Sequence, residues 1–166
     1  RNIKGRNGFL DQLKMCYINE NLECSRHLLR RAQYIPTNAI PFIRNLEQLE
    51  QLFEFFSDIS TVTLDSQDYD TGRTVLMNCC LYGAYSAAAF LVQRNVDLDL
   101  RDSLGNTALM LLISNGHQWQ TSADGLGLFR ALLARSELTL TNNMGLCFLA
   151  CMDESQWNSV GFEFCY

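Results

Sequence analysis

Two residue types in this chain could support nucleophilic or metal chemistry, namely seven cysteines and two histidines among 166 residues. Cys79 and Cys80 are adjacent, and Cys147 and Cys151 are four apart, so no two cysteines have the Cys-x-x-Cys spacing of a zinc site. We therefore predict no metal ion and no cofactor. We expect the cysteines to be reduced and mostly buried, as in an intracellular protein.

A cysteine hydrolase needs a histidine close to the nucleophile and a third group that orients the histidine. The favoured interpretation places His27 on a helix surface and His117 at the start of a loop. The catalytic alternative is an enzyme fragment within residues 1–68, but that segment is short and contains no paired nucleophile and base. We predict no catalytic residue and no enzymatic activity.

Carboxylate pairs and a short glycine motif are the remaining candidates for chemistry. The pairs Asp68 with Asp70 and Asp97 with Asp99 could suggest calcium or acid–base chemistry. Acidic residues are common in turns, however, and we expect these four to be solvated turn formers. The Gly-Leu-Gly segment at 125–127 is too short for a phosphate-binding loop, so it is interpreted as a flexible loop. No small-molecule substrate is expected.

The composition argues against two classes of partner. A net charge of −5 is unfavourable for nucleic acid, whose phosphates require clustered basic residues. The cluster of Arg26, Arg30 and Arg31 fits the solvated face of a helix instead. No run of about 18 apolar residues occurs, so we predict no segment that spans a membrane.

An internal repeat of 33 residues indicates the elements that would position these side chains. Segment 70–77 aligns without a gap on segment 103–110, and four identities recur at this one spacing. The recurring pairs are Gly72 and Gly105, Thr74 and Thr107, Leu76 and Leu109, and Gly83 and Gly116. Four matches at one period are hard to obtain by chance and indicate an internal repeat.

Each position of the repeat has a physical role. The first glycine permits a tight turn, and the threonine two residues later is a favourable helix N-cap. A first helix then carries Leu76 and ends near Gly83, because helices often end at glycine. A second helix is predicted over 86–94, after which the chain turns outward through 95–99 to the next unit.

These units resemble the ankyrin repeat, which has a Gly-x-Thr-Pro-Leu-His turn and helix, a glycine break, a second helix and a Gly-Ala-Asp-Val-Asn exit. The matching residues are Gly72, Thr74, Leu76, Gly83, Leu91, Asp97 and Leu98 in one unit and Asp102, Gly105, Thr107, Leu109 and Gly116 in the next. The departures are Val75 and Ala108 for proline, Met77 and Met110 for histidine, and Asn95-Val96 for Gly-Ala. The resemblance implies an all-α fold, a short ankyrin-repeat solenoid of stacked helix-turn-helix units with hairpin-like loops.

A third unit is predicted once an insertion is allowed. Segment 145–151 aligns with the turn and first helix, with Cys147 where threonine is expected. Gly145 follows Gly105 by 40 residues, so the middle unit contains seven extra residues. We place the insertion at about 117–127 as a polar loop between the two helices, and we predict the second helix over 128–135.

Upstream of residue 69 the repeat pattern weakens while helical periodicity continues. Apolar spacing over 46–56 predicts the second helix of a degenerate unit, with its first helix near 38–44 and an irregular exit loop at 59–64. Segments 9–17 and 22–31 form another predicted helix pair. We expect residues 1–68 to be a degenerate repeat or helical N-terminal cap, and residues 69–166 to be repeats that end in a C-terminal cap.

The resemblance implies a function in protein binding, because ankyrin partners usually dock on the hairpin tips and the inner face of the first helices of a concave surface. The corresponding residues here are Asp70, Thr71, Arg73, Leu81, Tyr82, Arg101, Ser103, Leu104, Asn106, Ser114, Asn115, Met144 and Leu146. The expected anchors are Tyr82, Leu81, Leu104 and Arg73. Trp119 in the insertion is a further candidate, which either projects towards a partner or folds back onto the solenoid.

Three functions remain as hypotheses. The favoured one is a protein-binding ankyrin module within a larger protein, since the chain begins at Arg1 rather than at methionine. The second is a structural or self-associating segment without an external ligand, and the third is the enzyme fragment described above. We expect an intracellular, cytoplasmic location, which could be a host cell if the protein is a bacterial effector.

Overall fold

The regular structure of this chain consists of short helices, apart from a longer first helix. The computed structural model describes residues 3–115 and 118–160, with side chains described over 8–115 and 118–158. The helices are α1 (Ile3–Ile18), α2 (Leu22–Arg31), α3 (Leu46–Phe55), α4 (Thr61–Leu64), α5 (Val75–Leu81), α6 (Tyr85–Gln93), α7 (Ala108–Ser114), α8 (Gln118–Thr121), α9 (Ala123–Arg135) and α10 (Glu154–Val160), with 3-10 turns at Ile40–Phe42 and Phe148–Cys151. The described ranges contain no β-strand, so the all-α prediction is confirmed.

The elements pack in two rows. The first row runs from α1 through the 3-10 turn at Ile40–Phe42, α5 and α7 to the 3-10 turn at Phe148–Cys151, and each element contacts the next. The second row contains α2, α3, α6 and α9, again in successive contact. The pairs α1–α2, α5–α6 and α7–α9 join the rows. The predicted solenoid of stacked units is therefore confirmed, while the division of the chain at residue 68 stays a prediction.

A continuous apolar core holds the two rows together. Leu76 and Cys79 of α5 and Leu91 of α6 are essentially inaccessible to solvent, as are Leu109 and Leu112 of α7. Burial of one leucine side chain contributes about 1.5–3 kcal/mol. Because helices of this length are marginal in isolation, contacts between units stabilise the fold more than helix propensity does.

The two clear units begin as predicted. Thr74 Oγ1 accepts a hydrogen bond from the backbone N–H of Met77 at 3.2 Å, and Thr107 Oγ1 accepts one from Met110 at 3.4 Å. Both threonines are therefore helix N-caps. Gly83 lies just beyond α5 with φ of +76°, a conformation in which glycine avoids the strain of other residues.

The third unit is less regular than predicted. Gly145 forms the expected turn with φ of +76°, but Cys147 makes no capping hydrogen bond with its side chain. The predicted first helix over 145–151 is only a 3-10 turn. A thiol is a weaker acceptor than a hydroxyl, so Cys147 is a poorer N-cap than the threonine of the two clear units.

The insertion is helical, so its interpretation as a polar loop is wrong. A short helix, α8, precedes α9, which begins at Ala123, five residues earlier than predicted. Ser122 Oγ caps α9 by accepting the N–H of Gly125 at 3.1 Å. A Cβ at Gly125 would lie 2.6 Å from the Cα of Trp119, so this glycine permits close packing rather than loop flexibility. The helix end and the loop histidine predicted at 116–117 lie outside the described residues.

The upstream half contains the predicted pair α1–α2, which two buried glutamines tie to α3. Gln48 Nε2 donates to the carbonyl of Tyr17 at 3.0 Å, and Gln51 Nε2 donates to that of Leu22 at 2.9 Å. Satisfied amides of this kind are costly to remove, because their partners would remain buried without hydrogen bonds. Two details are corrected here, since the first helix predicted near 38–44 is only a 3-10 turn and the exit loop at 59–64 contains α4.

One cysteine pair departs from the expectation of reduced thiols. Cys16 of α1 and Cys24 of α2 form a disulfide across the junction of the two helices, with their Cα atoms 6.0 Å apart. The expectation is therefore wrong for this pair, because the reversal of the chain that brings the two residues together is not visible in their spacing. The free cysteines in the described part of the chain are Cys79, Cys80, Cys147 and Cys151.

Candidate functional site

Three tight turns precede α5, α7 and the second 3-10 turn, and one acceptor side chain organises each of them. Asp102 Oδ1 accepts the backbone N–H groups of Leu104 at 3.0 Å and Asn106 at 2.8 Å. Asn142 Oδ1 likewise accepts two backbone N–H groups in the third turn, and in the first turn Asp68 Oδ2 accepts the backbone N–H and the hydroxyl of Thr71. The carboxylate of Asp68 is thus a turn former, in agreement with its interpretation from the sequence.

The turns stack on one another through main-chain hydrogen bonds. The N–H of Ser103 donates to the carbonyl of Thr71 at 2.9 Å, and the N–H of Asn143 donates to that of Leu104 at 3.0 Å. A Cβ at Gly72 would lie 2.9 Å from the nitrogen of Ser103, so glycine is needed for this close approach. We call the exposed side of the first row, together with the turns at 68–72, 102–105 and 142–145, the first-helix face.

Two of the predicted partner-binding side chains hold neighbouring turns together. Arg101 Nη2 donates to the carbonyl of Thr141 at 2.5 Å, and its Nε donates to that of Gly105 at 3.2 Å. Asn142 Nδ2 donates to Asn106 Oδ1 at 3.1 Å. Arg101 and Asn106 therefore stabilise the stack, which restricts the hydrogen bonds that they could offer to a partner.

Most of the other predicted binding residues reach the surface. The large apolar side chains are exposed by 81% at Met144, 61% at Leu104, 51% at Tyr82 and 36% at Leu146. Asp70, Ser103 and Ser114 are also exposed, whereas Thr71, Arg73, Leu81 and Asn115 are half-buried. The role of each in binding stays a prediction.

Tyr69 and Arg44 are two surface residues that the sequence patterns did not identify. Tyr69 is fully exposed at the tip of the first turn. The sequence pattern that could have indicated it is an aromatic residue between two aspartates in a turn. The guanidinium carbon of Arg44 lies 4.4 Å from the centre of the Tyr82 ring, within the range of a cation–π contact. No sequence pattern indicated Arg44, because segment 38–44 was predicted to be the first helix of a degenerate unit.

The comparison with known families agrees with this architecture. A sequence model of ankyrin repeats matches residues 13–123 in three copies, about two thirds of the chain. The chain belongs to the ankyrin-repeat family. The ankyrin match begins within α1, so it includes much of the upstream half where the repeat pattern was weak. No curated protein matches the sequence significantly.

Membership of the ankyrin family establishes a general class of function. Ankyrin repeats generally act as protein–protein interaction modules and are typically not catalytic. None of the helices in the described part of the chain combines the length and apolar character that a membrane crossing requires.

The conformation of the insertion shows whether Trp119 projects towards a partner or folds back onto the solenoid. Its side chain is fully buried, and its ring stacks on that of Phe129 with the ring centres 4.5 Å apart. Helix α8 therefore folds the indole onto α9. The placement of Trp119 among the partner-binding residues is corrected, because a side chain without exposed surface contacts no partner in this conformation.

The thiols of the first clear ankyrin unit are poorly suited to nucleophilic chemistry. Burial raises the pKa of Cys79 to about 12 and raises that of Cys80 well above its usual value, because a thiolate would lose its hydration. His27 is exposed on α2 as predicted, and His117 lies outside the described residues. Within those residues, no three His, Cys, Asp or Glu side chains form a group that could hold a metal ion.

Proposed function

We propose that this ankyrin segment binds a partner protein through its first-helix face and that it does so as a non-catalytic part of a larger protein. The observation that carries the proposal is the exposure of Leu104 and Met144 on a hydrogen-bonded stack of turns and of Tyr82 at the end of α5. Exposed aromatic and apolar side chains on a rigid edge gain free energy when a partner removes them from water.

The test compares partner capture by the unaltered chain and by the double variant Tyr82→Ala, Leu104→Ala. The matched control is Tyr34→Ala, Val62→Ala, which also removes one exposed aromatic and one exposed aliphatic side chain, but elsewhere. Captured proteins are identified by mass spectrometry, and the affinity of the purified pair is then measured by calorimetry. Two anchors of about 1 kcal/mol each should weaken binding roughly 30-fold. The control should bind normally.

The other outcomes separate the remaining hypotheses. If both double variants bind equally well, the first-helix face is not the binding surface. If no protein is captured, a structural or self-associating role becomes the better explanation, and sedimentation of the purified chain distinguishes these two. An enzyme would instead be indicated by a cysteine-directed activity probe that labels a single site.

We also propose a cytoplasmic location, which the four free cysteines of the described residues and the lack of any Asn-x-Ser/Thr glycosylation sequence support. The disulfide between Cys16 and Cys24 is more typical of an oxidising compartment and weakens this support. Fractionation of cells that express the full parent protein would test the location.

A further inference from the structure

We propose that the first-helix face recognises an acidic segment of its partner, and that a carboxylate of this segment enters a small cleft between Arg44 and Arg73. This inference deepens the proposed protein-binding function and rests on it. The cleft lies where the first 3-10 turn, the turn at 68–72 and α5 meet, and its volume is about 100 Å³. A cleft of this size admits the head of one side chain rather than a folded element.

Arg44 is held in place but has no acidic partner among the described residues. Its guanidinium stacks on the ring of Tyr82 at 4.4 Å, which limits the rotamers available to a long side chain. The ion pairs found among the described residues do not include Arg44. Its planar set of donors is therefore oriented in advance, so that a carboxylate would bind with less loss of side-chain entropy.

Arg73 on the other side of the cleft is incompletely paired. Its Nε forms an ion pair with Asp102 Oδ2 at 3.7 Å, which is beyond hydrogen-bonding distance, and is buried without a hydrogen-bond partner. Asp102 is committed to its own turn, since its Oδ1 accepts two backbone N–H groups. The Arg73 side chain retains 24% exposure and lines the cleft.

The charges around the cleft leave Arg44 as the cation that an anionic group would meet. Asp68 is the acidic residue among the described lining residues, and its carboxylate already accepts two hydrogen bonds from Thr71, one from the backbone and one from the hydroxyl. Asp102 offsets part of the charge of Arg73 from 3.7 Å, whereas Arg44 is in none of the ion pairs of the described residues. The guanidinium of Arg44 therefore favours an anionic group and disfavours a basic segment.

The exposed ring of Tyr82 at the edge of the cleft adds a second requirement. Its side chain is 51% exposed and would cover an apolar residue adjacent to the bound carboxylate. The partner segment that fits is therefore acidic with a neighbouring apolar residue. A phosphoserine could supply the same anionic chemistry, and the experiment includes it as a separate arm.

The experiment titrates the ¹⁵N-labelled chain with the capped peptide Gly-Ser-Glu-Leu-Glu-Gly-Ser and follows the Nε–H signals of the arginines by NMR. Matched peptides carry glutamine or phosphoserine in place of glutamate. Arg44→Gln should weaken binding of the glutamate peptide about 10- to 100-fold, the loss expected for one charge-assisted contact. Arg31→Gln, which makes the same charge change on exposed α2, should leave the affinity within about twofold.

Several results would overturn the inference. These are equal binding of the glutamine peptide, no shift of the Arg44 and Arg73 signals with the glutamate peptide, and unchanged affinity in Arg44→Gln. Binding of the phosphoserine peptide alone would reject the carboxylate and identify a phosphorylated segment instead. The two proposals fail separately, because Tyr82→Ala, Leu104→Ala can abolish capture of the cellular partner while Arg44→Gln leaves it intact. In that case the proposal of protein binding is kept and the proposal of an acidic partner segment is rejected.

Discussion

Gly125 and Gly127 both lie in α9, yet only Gly125 faces another helix closely. A Cβ at Gly125 would lie 2.6 Å from the Cα and 2.8 Å from the carbonyl carbon of Trp119, whereas nothing lies within 4 Å of a Cβ at Gly127. Alanine is more stable than glycine inside a helix by about 0.5–1 kcal/mol. Gly127→Ala should therefore stabilise the fold by this amount, and Gly125→Ala should destabilise it.

The size of the loss at Gly125 can be worked from its contacts. Forcing a methyl group against a neighbouring backbone costs about 1–3 kcal/mol, and disturbing the stack of Trp119 on Phe129 costs about 1 kcal/mol more. After the gain in helix propensity, a net loss of about 2 kcal/mol is expected for Gly125→Ala. Since 1 kcal/mol shifts Tm by about 2–4 °C in a chain of this size, Tm should fall by roughly 4–8 °C for Gly125→Ala and rise by roughly 1–4 °C for Gly127→Ala.

The assay is thermal and urea denaturation of both variants, followed by circular dichroism. A second readout is the fluorescence of Trp119 in a Trp157→Phe background, where the emission of Gly125→Ala should shift to the red as the indole becomes hydrated. If Gly125→Ala stabilises the chain as much as Gly127→Ala does, and if the emission is unchanged, then α8 does not pack on α9. Trp119 would then return as a candidate for partner binding.

Three further predictions concern caps, thiols and pH. Thr74→Ala should lower the free energy of unfolding by about 1 kcal/mol, because the hydrogen bond from the N–H of Met77 is lost. Cys147→Thr should raise the free energy of unfolding by up to about 1 kcal/mol, because threonine is a better N-cap. Urea denaturation measures both changes, and a Cys147→Thr variant that is no more stable would contradict the capping argument. At about pH 8, iodoacetamide should label Cys147 first among the free cysteines of the described residues, while Cys79 and Cys80 react only after unfolding, because burial raises the pKa of Cys79 to about 12. Cys16 and Cys24 should be labelled only after reduction, and peptide mass spectrometry would reveal any other order. Burial raises the pKa of the Asp65 carboxyl. Between the ordinary carboxyl pKa of about 3.9 and the raised pKa of Asp65, the folded chain therefore binds more protons than the unfolded chain. The free energy of unfolding should fall as pH rises through this interval. Asp65→Asn keeps an acceptor for the N–H of Asp97 and should remove this loss of stability with rising pH. The prediction is refuted if the difference in stability between the Asn variant and the unaltered chain is the same at all pH values between about 3 and 7.

The sequence by itself determined the features that depend on local chemistry. The N-caps at Thr74 and Thr107 follow from the affinity of a hydroxyl for free N–H groups at a helix start. The turns at Gly72 and Gly105 follow from the left-handed backbone that glycine adopts without strain. Because these preferences recur in both clear units at one period, the repeat could be inferred from residue types and spacing, and the resemblance of its units to the ankyrin repeat implied the all-α class and the family.

Only the tertiary structure decided the features that depend on contacts between distant residues. The conformation of the insertion follows from the packing of Trp119 on Phe129, which hydropathy within the polar segment does not reveal. Likewise, the stacking of Arg44 on Tyr82 joins two residues from different units, and no pattern within either unit predicts it. Local propensities are encoded over a few residues and can be inferred from the sequence, whereas a surface is assembled from several units and its chemistry is defined once their stacking brings the side chains together.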